Sequence, residues 1–129
     1  MKINYKIIGE GDLVVLLHGW GQNIQMMEPL LEGLKNKKVL ILDLPGFGES
    51  DEPETIWSIE NYADFIHKFV HKLGYTKCSI IGHSFGGKIG LMYASKYEHW
   101  NADIKNTKRK GADPGGIWKN ISCYQTDCV

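Results

Sequence analysis

The chain has 129 residues, enough for one domain, and its 15 basic and 15 acidic side chains give a formal net charge of zero. This balance excludes the broad positive surface of a nucleic-acid-binding protein and the polybasic segment of a membrane anchor. Apolar residues make up 43% of the sequence and charged residues 23%. That composition is typical of a folded domain and excludes an intrinsically disordered chain.

The sequence also predicts a cytoplasmic protein without a membrane span. Its longest uninterrupted aliphatic run is Leu13–Leu17, whereas a membrane-spanning helix needs about 20 apolar residues. The N-terminus has no apolar stretch like that of a signal peptide. Three cysteines are an odd and sparse set, which argues against a secreted disulfide scaffold.

Four short apolar segments predict β-strands, and three apolar patterns between or after them predict helices. Continuous aliphatic runs are typical of strands that are buried on both faces of a sheet. Helical periodicity covers residues 26–34, 59–73 and 85–97. Ser58 is a favourable N-cap for the second of these helices, and Gly74 is a favourable residue just beyond its end. The predicted strands cover residues 3–8, 13–17, 39–42 and 78–81.

Strands that alternate with helices predict the α/β class, with a mostly parallel sheet of about four strands and flanking helices. Residues 101–129 differ from this pattern, because most of them are polar and they show no sustained apolar period. We therefore expect residues 1–100 to form the domain and residues 101–129 to be an irregular, divergent tail.

The pentapeptide Gly82-His83-Ser84-Phe85-Gly86 lies directly after the fourth predicted strand and directly before the third predicted helix. This is the Gly-x-Ser-x-Gly pattern of a nucleophile elbow, in the strand–turn–helix context that an elbow requires. The residues two before and two after the serine must be tiny, because the backbones of strand and helix nearly touch there. The pattern predicts that Ser84 is a nucleophile whose hydroxyl projects from the sheet edge.

A second glycine-rich turn, His18-Gly19-Trp20-Gly21, follows the strand predicted over residues 13–17. In a parallel sheet this turn emerges at the same edge as the elbow, which is where ligands bind in open α/β sheets. A backbone N–H from this turn, together with the N–H of Phe85, predicts an oxyanion hole. We expect His18 and His83 to be packing residues.

The chain contains three segments with recognisable motifs: Leu16-Leu17-His18-Gly19-Trp20, Asp43-Leu44-Pro45-Gly46-Phe47-Gly48-Glu49-Ser50 and Gly82-His83-Ser84-Phe85-Gly86-Gly87. In this order and spacing they resemble the N-terminal half of the α/β-hydrolase superfamily, in its esterase, lipase and carbon–carbon hydrolase branches. The resemblance implies a partial α/β-hydrolase fold that stops before the C-terminal half, with Ser84 as the nucleophile and the N–H groups of Trp20 and Phe85 as oxyanion donors.

The same resemblance implies a small-molecule acyl substrate, such as an ester or thioester, and no cofactor or metal. Gly19 and Gln22 are predicted to contact that substrate. A serine at position 84 disfavours the branches that use aspartate there, the haloalkane dehalogenases and epoxide hydrolases.

The sequence departs from the family pattern after Ser84. The family takes its triad acid and histidine from later strand-end loops, and the only histidine after Ser84 is His99. A helix starting at the elbow would place His99 ~20 Å from the serine. We therefore expect an impaired hydrolase. The alternative is a non-catalytic truncated or frame-shifted fragment, or a pseudoenzyme, whose unpaired sheet edge promotes self-association.

Two other patterns carry weaker predictions. Gly82-x-x-x-x-Gly87-Lys88 is most of a phosphate-binding P-loop, but Ile89 stands where a magnesium-binding hydroxyl is required, so an NTPase is a remote third alternative. His67 and His71 have the spacing of metal ligands on a helix, but Lys68 replaces the glutamate of the zinc protease motif. A solvated helix face explains both histidines.

Overall fold

The computed structural model describes residues 1–97 together with the backbone of residues 121–127. Five strands and three α-helices, one of them continued by a 3₁₀ segment, make up the described chain. The strands are β1 (Tyr5–Ile8), β2 (Leu13–Leu17), β3 (Lys38–Leu42), β4 (Lys77–His83) and β5 (Ile121–Asp127), and the helical segments are α1 (Ile24–Met27), the 3₁₀ segment Glu28–Leu34, α2 (Ile59–Lys72) and α3 (Phe85–Tyr97).

The strands form one mixed sheet in the order β1-β3-β2-β4-β5. Strand β2 pairs in parallel with both β3 and β4, whereas β1 and β5 are antiparallel to their neighbours. All five residues of β2 are buried, as expected for an aliphatic strand covered on both faces. The predicted α/β class and the four predicted strands are confirmed.

Two apolar layers cover the faces of the central strands, whereas the four residues of β1 are exposed. Helices α2 and α3 cover one face through a core that includes Ile66, Val70 and Ile89. Helix α1 and the 3₁₀ segment cover the opposite face, where Ile24, Met27 and Leu30 pack against β2 and β3. Across the described residues, no helix combines the length and the apolar character needed to cross a membrane.

Strand β5 lies within the tail that we expected to be irregular. It pairs with the whole of β4, from Lys77 opposite Asp127 to His83 opposite Ile121. The buried central strand β4 has backbone N–H and C=O groups on both edges. Strand β2 pairs with one edge, and β5 satisfies the groups on the other. The β4 edge on which we based the expected self-association is therefore paired within the chain. Residues 98–120, which include His99, lie outside the described residues.

The segment over residues 26–34 also differs from the sequence-based expectation of one helix. Four α-helical residues are followed by a 3₁₀ segment, with Pro29 near the junction. Proline lacks the N–H that a continuous α-helix needs in its interior, so the regular hydrogen-bond pattern does not continue through residue 29. The apolar side chains of this segment still face the sheet, because 3₁₀ and α-helical spacings place similar residues on one side.

Helix α2 begins and ends where the sequence predicts. The Ser58 hydroxyl accepts a hydrogen bond from the Asn61 N–H (3.2 Å), and the Asn61 side chain accepts one from the Ser58 N–H (2.9 Å), which together form a capping box. Gly74, just beyond the helix, has a φ of +93°, a conformation that glycine adopts without the strain of a Cβ atom.

Replacement of the N-cap residue tests this helix boundary. We expect Ser58→Ala to lower the free energy of unfolding by about 1 kcal/mol, because the Asn61 N–H loses its acceptor at the helix terminus. Urea unfolding measures the change. Ser95→Ala is the matched control, since the exposed Ser95 hydroxyl donates to the Met92 carbonyl near the end of α3. Its effect should stay below about 0.5 kcal/mol. Equal losses at the two positions would contradict the capping role.

Candidate active site

Ser84 occupies a sharp turn between the end of β4 and the start of α3. Its φ of +53° is the only positive φ among the non-glycine residues that the structure describes. This left-handed conformation costs roughly 1–2 kcal/mol for a residue with a Cβ atom. Ser84 is exposed to solvent, as the elbow pattern predicts.

The glycines on either side of Ser84 allow strand and helix to approach this closely. A Cβ atom on Gly82 would lie 2.4 Å from the backbone of Gly86 and Gly87, and one on Gly86 would lie 2.2 Å from the Leu17 carbonyl oxygen. Real Cβ contacts this short do not occur, so both positions require glycine. The close contact to Leu17 also joins the elbow to β2, the neighbouring strand.

The glycine-rich turn after β2 lies at the same sheet edge as the elbow. Leu17 is the register partner of Gly82 in the parallel β2–β4 pair, so both chains leave the sheet side by side. The Trp20 ring is 68% exposed and contacts the Phe85 ring edge to face, with 5.1 Å between ring centroids. The predicted proximity of the two loops is therefore present, and the role of their N–H groups as oxyanion donors stays a prediction.

Gly19 and Gln22, which we predicted to contact substrate, bind each other. The Gly19 N–H donates to the Gln22 Oε1 at 3.2 Å, and the Gln22 N–H donates to the Gly19 carbonyl oxygen at 3.1 Å. Gly19 is buried and Gln22 is half-buried. Because the Gly19 N–H is already occupied, this arrangement gives no support to a substrate contact by that group.

His18 is fully buried beneath this turn and has a defined tautomer. Its Nε2 accepts a hydrogen bond from the Leu44 N–H (2.9 Å), so the proton resides on Nδ1, which donates to the Gly19 carbonyl oxygen (2.7 Å). Burial lowers the pKa of His18 below its ordinary value, and this effect outweighs the Gly19 hydrogen bond and the charge of Asp43, which both raise the pKa. The packing role expected for His18 therefore includes support of the turn.

Asp43 connects three segments near the site. One carboxylate oxygen accepts from the Ile24 N–H (2.7 Å), and the other accepts from the Asn4 amide (2.8 Å) and the Glu49 N–H (2.9 Å). The Glu49 contact caps the loop after β3. The contacts to Asn4 and Ile24 have no signal in the sequence, because they depend on the tertiary arrangement of three distant segments.

The other described histidines do not complete a catalytic triad at Ser84. His67 stacks on Tyr97 at the far end of α3, with 3.8 Å between ring centroids, and His71 lies 4.3 Å from His67. The Nδ1 of His83 is buried without a hydrogen-bond partner. In the part of the chain that the structure describes, no group of three or more potential ligands could hold a metal ion.

The P-loop interpretation has no support from the geometry. Gly82 and Gly86 are in direct backbone contact, whereas a phosphate-binding loop needs an open concavity lined by N–H groups. Ile89, at the position of the required hydroxyl, is fully buried.

Comparisons with known proteins agree with this geometry. The family model of the α/β hydrolase fold matches residues 12–106. A soluble epoxide hydrolase of Corynebacterium sp. (strain C12) is 33% identical over 94 residues, which is 72% of this chain and 33% of that protein. A pimeloyl-(acyl-carrier protein) methyl ester esterase of Shewanella woodyi is 34% identical over 96 residues, which is 74% of this chain and 35% of that protein. The solved structure of an esterase from Exiguobacterium antarcticum is 33% identical, has a TM-score of 0.66 and covers 73% of this chain and 36% of the esterase.

The chain belongs to the α/β-hydrolase family, which confirms the resemblance recognised in its three motifs. It spans about a third of the length of these relatives. The residues matched by the family model include Ser84 and the glycine-rich turn after β2.

The protonation of His18 provides a test of this site. We expect His18 to titrate below its ordinary pKa of 6.5, because burial disfavours the charged ring and protonation of Nε2 removes the acceptor of the Leu44 N–H. The unfolded chain binds this proton at a higher pH than the folded chain. The contribution of His18 to the free energy of unfolding should therefore be constant above about pH 6.5. It should fall as the pH drops below that value.

Ring ¹⁵N shifts during an NMR titration, together with urea unfolding at several pH values, measure these effects. A midpoint for His18 at or above 6.5, or a proton on Nε2 at neutral pH, would contradict the assigned hydrogen bonds.

Proposed function

We propose that this chain carries the nucleophile and the oxyanion hole of a serine hydrolase, and that Ser84 attacks the carbonyl carbon of an ester or thioester. The left-handed backbone of Ser84 supports this proposal most directly. An exposed residue gains little packing energy that could offset such strain, and strained residues cluster at active sites.

In the proposed reaction, Ser84 Oγ forms a bond to the carbonyl carbon while its proton moves to a general base. The electron pair of the carbonyl moves to its oxygen, where the N–H groups of Trp20 and Phe85 stabilise the negative charge. Collapse of this intermediate expels the alcohol or thiol and leaves an acyl-serine ester. Water then adds to that ester and releases the acid.

The identity of the nucleophile favours acyl substrates over epoxides. A serine that opened an epoxide would be left with an ether, which has no carbonyl to which water could add. Attack on a carbonyl instead gives an ester that water can cleave, so the enzyme regenerates. Position 84 is serine in this chain, and ester or thioester cleavage is therefore the chemistry that we propose.

Aromatic rings beside Ser84 support an apolar group on the substrate. Trp20 contacts Phe47 and Phe85 edge to face, with centroid distances of 4.9 and 5.1 Å. Phe85 also contacts Tyr62 at 5.4 Å. These rings offer dispersion contacts to an apolar acyl or alcohol group next to the reacting carbonyl.

Neither His18 nor His67 is placed to act as the general base for Ser84. Both ring nitrogens of His18 are engaged with backbone groups. His67 packs on Tyr97, which lies about 18 Å from the first residue of α3 along the helix axis, whereas a base must come within about 3 Å of the proton it takes. We propose that residues 1–97 alone hydrolyse esters poorly, since loss of the base lowers turnover by on the order of 10⁶.

Modification by a fluorophosphonate probe tests the proposal. We expect slow formation of an adduct on Ser84, identified by peptide mass spectrometry, and none in Ser84→Ala. Ser95→Ala is the matched control and should label like the wild-type chain. Absence of the Ser84 adduct would contradict an activated nucleophile and favour the alternative of a non-catalytic family member.

A thiol at the same position separates the effect of the elbow from that of a general base, because a thiolate needs no base to react. In Ser84→Cys, the helix N-terminus and nearby N–H groups should lower the thiol pKa below its usual value of about 8.5. In Ser95→Cys, near the other end of the same helix, the pKa should not fall. Rates of iodoacetamide modification against pH, resolved by peptide, measure both values.

A further inference from the structure

Gln22 holds Gly19 at both ends, once through its side chain and once through its backbone. Its Oε1 accepts the Gly19 N–H, and its own backbone N–H donates to the Gly19 carbonyl oxygen. The first contact fixes the peptide plane before Gly19, and the second fixes the plane after it. Because each peptide unit is planar, these two contacts restrict both backbone dihedral angles of Gly19.

The orientation of the Trp20 N–H follows from these contacts. Trp20 N–H and Gly19 C=O belong to one trans peptide unit, so they point in opposite directions. The Gly19 oxygen is held inside the turn by the Gln22 N–H (3.1 Å) and the His18 Nδ1–H (2.7 Å), and the Trp20 N–H therefore points out of the turn. Gly21 is the third residue of the β-turn that runs from Gly19 to Gln22. It has the positive φ (+72°) that a type II turn requires at this position.

The space around Gly19 fits the Gln22 amide closely. A Cβ atom at position 19 would lie 2.9 Å from the Gln22 Oε1 and 3.1 Å from the His83 Nδ1. Any side chain at this position would displace the Gln22 amide from the Gly19 N–H. Glycine at position 19 therefore leaves room for the Gln22 amide and also suits the turn.

We propose that Gln22 is a positioning residue for the oxyanion hole. It does not contact the substrate; its side chain fixes the His18–Gly19 peptide unit and its backbone N–H fixes the Gly19–Trp20 unit. With both units fixed, the Trp20 N–H faces the oxygen of the substrate carbonyl attacked by Ser84. An oxyanion donor that is already oriented needs no reorganisation as negative charge develops, which is the source of its catalytic effect. This inference rests on the proposed serine hydrolase function.

Two substitutions of nearly equal size test the role of the Gln22 side chain. Gln22→Met removes the acceptor, and Gln22→Glu keeps an oxygen acceptor in the same place. We expect Gln22→Met to increase hydrogen exchange of the Gly19 amide by about 10-fold or more and to shift the Trp20 amide resonance. Gln22→Glu should restore both signals. Gln25→Met is the matched control, since Gln25 is exposed on α1, and should change neither signal.

Fluorophosphonate kinetics provide the functional readout. Gln22→Met should lower the maximal rate of Ser84 modification by on the order of 10-fold with an unchanged half-saturating probe concentration, and Gln22→Glu should recover most of this rate. A change confined to the half-saturating concentration would identify Gln22 as a substrate contact and overturn the inference. Unchanged Gly19 exchange in Gln22→Met would also overturn it. If the wild-type chain forms no adduct, the proposed function fails, and the exchange and resonance data still decide whether Gln22 orients the turn.

Discussion

The candidate site depends on one steric constraint, the contact between the backbone at the start of α3 and the ends of β2 and β4. Gly86 lies so close to the Leu17 carbonyl, and Gly82 so close to Gly86, that a single methyl group at either position would overlap backbone atoms. With strand and helix this close, the chain must reverse within one residue. Ser84 is that residue, and its left-handed backbone exposes its hydroxyl at the sheet edge.

The same contact brings the glycine-rich turn after β2 beside Ser84. Parallel pairing of β2 with β4 places the turn after Leu17 beside the elbow, and buried polar groups then fix the shape of that turn. His18, at the start of the turn, accepts a hydrogen bond from the Leu44 N–H. Asp43, which directly follows β3, accepts one from the N–H of Ile24, where the chain leaves the turn. These contacts are made in the free chain, so the N–H groups that we propose as oxyanion donors need little rearrangement when charge develops.

The elements that follow from local rules could be predicted from the sequence. The four aliphatic strands, the capped helix α2 and the glycine-flanked elbow each have a signature within a few residues of chain. Strand β5 and the interrupted helix over residues 24–34 could not be predicted in this way. The first depends on the open edge of β4, and the second on Pro29 within an otherwise periodic pattern. The Gln22 contact with Gly19 was also missed, because an exposed glutamine and a loop-bound one look alike in sequence.

The backbone strain at Ser84 can be measured by comparing the stabilities of two variants, and this comparison tests the proposed nucleophile elbow most directly. At a left-handed position glycine should be favoured over alanine, so Ser84→Gly should unfold with a free energy about 1 kcal/mol higher than Ser84→Ala. At Ser95, which lies within α3, the order should reverse by about the same amount, because glycine weakens a helix relative to alanine. If alanine is favoured at both positions in urea unfolding, Ser84 does not occupy a strained elbow and the proposed nucleophile has no structural basis.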